Sequence, residues 1–296
     1  MATITANPAT VRGVFQHKPS VAELRTITPS LAVEWLAKNL NFRKKRQWWV
    51  ADIARDITAG RYALNGETIK FNERGELIDG QHRLSAVVLA GVPIQSYVVF
   101  GVRGESTIDR GHSRLFSDEL TNMGHKHVTV LAAVLRMVYR YERAGSAALL
   151  NKNVQQFGVA TTGELLEVLS RHEKAAAAVC KVVNHQGIIS QSILGFVTYM
   201  GVVRCPTAAD IVDPFLEGIT DGANLSTDDP LFHLRNRMLV NKSSKAKLSP
   251  VAVLATTIKA WNRYKMSLPS TAASIRWTSF GKTREEFPDF DTTPAQ

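Results

Sequence analysis

Asn65 to Ala90 reads NGETIKFNERGELIDGQHRLSAVVLA, and the fold turns on how this stretch is parsed. Asn65-Gly66 is a tight-turn signal, because both residue types tolerate a positive φ. Thr68-Ile69-Lys70-Phe71 then has strand composition, Asn72-Glu73-Arg74-Gly75 is a second turn, and Glu76-Leu77-Ile78 a return strand, together a short β-hairpin. A helix follows from about Gly80 to Ala90-Gly91, with Leu84, Val87 and Val88 on its apolar side.

Between strand and helix stands a polar turn, Asp79-Gly80-Gln81-His82-Arg83. Asp79 is a good N-cap, and Gly80 lets the backbone approach a bound group with no Cβ in the way. The N–H groups of a helix's first turn and its dipole favour an anion there. Gln81, His82 and Arg83 reach the same point, and the Arg83 fork matches phosphate oxygens. A capped helix start with a surface ion pair is the plainer reading of the same residues.

Upstream, Pro29 opens a helix expected over Ser30–Leu40, with Leu31, Trp35 and Leu36 on one side. A second runs from about Lys45 to Thr58 and stops at Gly60, striped by Val50, Ile53, Ala54 and Ile57. Trp35 and Trp49 read as core anchors, and residues 1–28 as an extended arm. Downstream, PIQSYVVF (Pro93–Phe100) is a third strand and Ser106-Thr107-Ile108 a short fourth. From Arg114 the periods are helical: about Leu115–Asn122, Val128–Arg143, Thr162–Arg171, Lys174–Val183, Ser190–Val203, Thr207–Gly218, Leu231–Leu239 and Pro250–Lys265. Val128–Leu135, apolar on most sides, suits a central bundle helix. Ile188-Ile189 and Ile193-Leu194-Gly195-Phe196 suit either core or a contact in a homo-oligomer.

The class is therefore α+β: an arm over 1–28, a mixed-sheet module over 29–125, a helical module over 126–267 and a tail over 268–296. No apolar run approaches the roughly 18 residues that cross a bilayer, so a membrane partner is not expected. MATITANPATVRG lacks the layout of a signal peptide, which sets the expected location in a cytoplasm. Cys180 and Cys205 lack zinc or disulfide spacing and read as small buried hydrophobes.

The formal net charge is +10, which favours polyanionic partners. Residues 1–120 hold 16 Lys and Arg against 12 Asp and Glu, and residues 121–267 hold 17 against 10. Two clusters stand out: Arg43-Lys44-Lys45-Arg46 ahead of Trp48-Trp49, and Lys242-Ser243-Ser244-Lys245-Ala246-Lys247. Basic residues beside aromatics suit a phosphate backbone with stacked bases. A solvated helix start and a loop are the plain alternatives.

A second polar constellation, Thr107-Ile108-Asp109-Arg110-Gly111-His112-Ser113-Arg114, follows the third strand. Asp79 and Asp109 together suit Mg²⁺, which takes one or two carboxylates plus substrate phosphates. Arg110, His112 and Arg114 would bind phosphate, the arginines neutralising charge as a phosphoryl group moves. His125 and His127, two apart, point away from each other on a helix and make a poor metal pair.

IDGQHRLSA, with its hairpin before and AGVPIQSYVVFGV after, resembles the ParB/sulfiredoxin-like superfamily, and more narrowly the DGQHR-type proteins of bacteriophages and mobile elements. TIDRGHSRLFSDEL and the late pattern of Lys259–Tyr264, Ile275–Trp277 and Phe287-Pro288 extend the likeness over most of the chain from about residue 45. The resemblance implies a ParB/sulfiredoxin-like mixed-sheet module whose turn binds nucleoside triphosphate, CTP in partition proteins and ATP in sulfiredoxins. It carries over to Gly80, Gln81, His82 and Arg83, with Asp79 ahead. Gln81-His82 replaces the arginine-rich turn of partition proteins, and the sulfiredoxin cysteine is missing, so neither of those activities follows.

Two classes of function are expected from this. One is a phosphotransferase or nucleotide hydrolase acting with DNA, with Asp79, His82 and Asp109 catalytic and His82 or Asp109 as general base. The other is a non-catalytic DNA-binding switch; a metal-dependent nuclease of ParB type would use the same carboxylates.

Overall fold

In the computed structural model, which describes residues 20–39, 45–103, 115–150, 159–185, 187–279, 281 and 284–295, the chain divides at His112/Ser113 into two units. The N-terminal unit is built on a four-stranded mixed sheet of β1 (Val21–Ile27), β2 (Thr68–Asn72), β3 (Leu77–Asp79) and β4 (Ile94–Val102), in the order β1-β4-β2-β3. The expected hairpin is β2–β3, antiparallel, with Lys70 opposite Asp79 and a bulge before Phe71, which faces Leu77. β2 and β4 run parallel, because β3 and the helix after it make the crossover between them.

β1 lies in the stretch expected as an arm. It pairs antiparallel with β4 along its whole length, from Val21 opposite Phe100 to Ile27 opposite Ile94. Sequence period misses it because only Ile27 is buried; the backbone ladder, not an apolar face, holds the strand. In β4 Ile94, Ser96 and Val98 turn inward while Gln95 and Tyr97 turn out.

Three helices share a core with this sheet: α1 (Pro29–Ala37), α2 (Gln47–Thr58) and α3 (Gln81–Ala90). Thr28 Oγ1 caps α1 by accepting from Leu31 N, and Pro29 takes the first position. Trp35 meets Phe71 edge to face at 5.1 Å, the anchor its position suggests. From α2, Val50, Ala54 and Ile57 join Leu84, Ala86 and Val87 of α3 around Ile69.

The second unit is helical: α4 (Phe116–Asn122), α5 (Val128–Ala144), α6 (Ala147–Leu150), α7 (Thr162–Arg171), α8 (Lys174–Val183), α9 (Gln191–Arg204), a 3₁₀ segment (Pro206–Ile211), α10 (Val212–Thr220), α11 (Pro230–Ser243), α12 (Pro250–Lys265) and α13 (Ala272–Ile275). Phe116 and Leu120 of α4 pack into its core, ahead of the boundary expected near residue 125. The central position belongs to α9 rather than to Val128–Leu135, since every residue from Ile193 to Gly201 is buried. Ile189, Ile193, Leu194 and Phe196 are core, which resolves that alternative. Cys205 is buried as expected, but Cys180 is exposed.

The tail is part of this core. Ile275, Trp277, Phe287 and Phe290 are buried, and Lys265, itself 0% exposed, donates to the carbonyls of Asp291 (2.7 Å) and Thr293 (2.5 Å). Tyr141 adds a bond from its hydroxyl to Asp289 Oδ1. Among the described residues no helix is long and apolar enough to cross a membrane.

Candidate functional site

The turn after β3 is tighter than its sequence suggests. The helix cap is Gly80 rather than Asp79, with φ +99°. A Cβ there would sit 2.9 Å from Ile69 Cγ1, so the group that needs glycine's bareness is the β2 side chain behind it. Gly80 has no side chain to accept from the first-turn N–H groups of α3, which leaves the dipole of this helix end without an acidic cap.

Asp79 closes the last position of β3, and both of its oxygens are engaged. Oδ2 receives Lys70 Nζ at 2.5 Å across the hairpin, and Oδ1 receives Gly80 N at 2.7 Å. Arg83 stands 3.9 Å from the same carboxylate. A divalent cation at Asp79 would have to displace the Lys70 ammonium, so this carboxylate does not fit Mg²⁺ well, and no step is assigned to a metal. Among the described residues no group of three or more His, Cys, Asp or Glu gathers around a common point.

Arg83 reaches under the turn. Its Nη2 donates to Thr68 O at 2.6 Å, while Nη1 is buried with no hydrogen-bond partner among the described residues. The Tyr62 hydroxyl lies beside this guanidinium. Burial pushes the Tyr62 pKa up, the nearby Arg83 cation pulls it down, and the upward push prevails. Gln81 Oε1 accepts from Asn39 Nδ2 at 3.2 Å and ties the turn to the end of α1.

His82 joins the turn to α2. Its Nε2 accepts from Arg46 N at 3.1 Å, and its ring stacks on Trp49, centroids 5.6 Å apart and planes at 24°. Trp49 in turn stacks on Trp48 at 5.9 Å and 20°. The expectation of Trp49 as a core anchor does not hold: it is 39% exposed, and Trp48 is 54% exposed. The result is a ladder of three flat rings at the N-terminal end of α3, flanked by Lys45 and Arg46 from the basic cluster.

The expected site residues thus fall into two sets. Asp79, Gly80, Gln81, His82 and Arg83 come together with Arg46 at the β3–α3 turn. Arg43, Lys44, Asp109, Arg110, His112 and Arg114 lie outside the described residues, as does the short strand Ser106–Ile108. Sequence reasoning missed Lys70 and Tyr62. Lys70 was findable, because the hairpin register sets it across from Asp79; Tyr62 sits in an aperiodic connection with no signal to mark it. No protein-family model matches this chain, and no curated protein or solved structure is similar to it.

Proposed function

We propose that the N-terminal unit binds a nucleotide or a nucleic-acid phosphate at the DGQHR turn, with a base laid on the Trp48–Trp49–His82 ladder. The single observation that carries this reading is the ladder itself, half-exposed aromatic rings placed beside an uncapped helix N-terminus. Base–aromatic stacking contributes ~1–3 kcal/mol per base, more than an exposed ion pair supplies. Lys45 and Arg46 supply positive charge around the turn, and Arg83 Nη1 is a buried donor without an acceptor among the described residues.

Binding is better supported than catalysis. Asp79 is already neutralised by Lys70, and His82 Nε2 already accepts from a backbone N–H, so neither stands ready to take a proton. A phosphotransferase or hydrolase reading draws instead on the Asp109–Arg114 segment. A DNA-associated, phage-type role rests on the sequence resemblance.

Titration of the full chain with ATP, CTP, GTP and a single-stranded oligonucleotide, with and without Mg²⁺, tests the reading through tryptophan fluorescence. Saturable quenching that Trp48→Ala removes is the expected result. No saturation with any of these ligands overturns it. Phosphate release in the same samples would move the assignment from binder to enzyme.

A further inference from the structure

A second place in the molecule is prepared for an anion, in the helical unit and independent of the turn. From Pro230 to Pro250 the chain holds five Lys and Arg and no Asp or Glu. Two of the five are used by the fold. Arg235 Nη1 caps the end of α10 by donating to the carbonyls of Ile219 and Thr220, and Lys247 Nζ does the same for Asn241 and Lys242 at the end of α11. Among the described residues, Arg237, Lys242 and Lys245 make no ion pair and no side-chain hydrogen bond.

Arg237 is the informative one. It lines a cleft of about 410 Å³ between α11, the segment after it and the start of α13. Its Nε is sealed from solvent and has no hydrogen-bond partner among the described residues. Among the described residues no carboxylate lines that cleft. The nearest charge of note is a second cation, Arg276; burial first, and then this neighbour, pull the Arg237 pKa below its ordinary value. A half-buried guanidinium near another cation, with no counter-ion among the described residues, is costly unless something negative arrives. Asn236 adds an amide to the rim, while Val240 and Leu248 give the cleft an apolar wall.

We propose that this cleft binds a phosphate ester, its oxygens on the Arg237 guanidinium, its charge felt by the neighbouring Arg276, and its organic group against Val240 and Leu248. Guanidinium forks match phosphate oxygens, and the mixed wall favours an esterified phosphate over the bare ion. Two sources share this chemistry: a small nucleoside monophosphate, or one phosphodiester of a nucleic-acid strand whose neighbours meet Lys242 and Lys245.

The test uses ¹⁵N-labelled full chain, because the buried Nε–H of Arg237 is shielded from exchange and gives its own resonance, assigned by its loss in Arg237→Gln. Thymidine monophosphate and a 12-nucleotide single strand are titrated in turn, in a Trp48→Ala background so that the turn does not contribute. The expected result is a saturating shift of the Arg237 resonance, with affinity at least tenfold weaker in Arg237→Gln and several-fold weaker in Arg276→Gln. Tighter binding of the strand that Lys242→Gln/Lys245→Gln weakens assigns the ligand to nucleic acid; equal or better binding of the monophosphate, unaffected by those changes, assigns it to the small ester. A resonance that neither probe moves overturns the proposal. So does undiminished affinity in Arg276→Gln, an exposed position whose change leaves folding intact even if Arg237→Gln does not.

Discussion

The Trp49 indole lies nearly parallel to the His82 imidazole, with centroids 5.6 Å apart, and this contact fastens α2 to the first turn of α3. Trp48 stacks on the outside of the same pair. The two tryptophans therefore have separable roles. Trp49→Ala removes an aromatic contact on both sides and should cost ~1–2 kcal/mol, since aromatic pairs contribute about 0.5–1.5 kcal/mol beyond their area. Trp48→Ala should change stability by no more than ~0.5 kcal/mol while abolishing ligand quenching. Urea denaturation of both variants checks the pair, and equal losses would contradict the assignment.

Gly80→Ala should be among the most damaging single-methyl additions in the N-terminal unit. Its φ of +99° lies outside what an L side chain accepts, and the new Cβ would press on Ile69 at 2.9 Å. Strain of this kind costs ~1–3 kcal/mol before the steric contact is counted. Ile69→Ala in the Gly80→Ala background should recover the contact part and leave the backbone part. The thermal midpoints of the two single variants and the double variant measure that split.

Lys70 and Asp79 should behave as a coupled pair. Lys70→Met strands a carboxylate that is 16% exposed, and losing the partner of a largely buried charge costs ~3–5 kcal/mol at most. Asp79→Asn in the same chain removes the stranded charge, so the double variant should be more stable than Lys70→Met alone. A double-mutant cycle by chemical denaturation gives the coupling; simple additivity would mean that the 2.5 Å contact contributes nothing.

Acid should weaken the helical unit through Glu142. Burial pushes its carboxyl pKa up, but hydrogen bonds from Arg171 and His172 pull harder, and the net shift is below the ordinary 4.5. A carboxylate depressed in the folded state contributes stability that is fully present above its unfolded pKa. That contribution is lost as pH falls from about 4.5 through the lower folded value. Glu142→Gln should flatten this part of the stability profile between pH 5 and pH 2, on the order of those carboxylate values. A profile of unchanged steepness would assign the acid sensitivity elsewhere.

Those parts of the fold that depend on local signals were legible in the sequence. The β2–β3 hairpin follows from Gly75 and its alternating flanks, and α12 starts at Pro250 as its period suggests; α11 starts at Pro230, one residue ahead of the expected Leu231, because Asp229 Oδ1 accepts from Leu231 N. What was not legible depends on partners distant in the chain. β1 has no apolar period of its own, and the tail is held by Lys265, a residue whose charge argues for the surface until the carbonyls of Asp291 and Thr293 are seen around it. At the site, composition marked Asp79–Arg83 as one group, yet the division of labour within it depends on Lys70, Thr68 and Trp49. Asp79 read as a cap because its side chain suits one; the chain uses it for a cross-strand ion pair instead.

Strand β1 has one further effect, on solubility. β4 is IQSYVVFGV, nine residues without a charge, rich in β-branched and aromatic side chains. That is the composition of a segment that recruits other chains when its backbone edge is open. β1 occupies that edge over seven residues and brings Glu23 and Arg25 to the border of the sheet, where charge discourages further addition of strands. A chain beginning at Thr28 would keep nearly all of the buried core and lose its shield. It should fold at low concentration, then self-associate as concentration rises, which light scattering would follow directly.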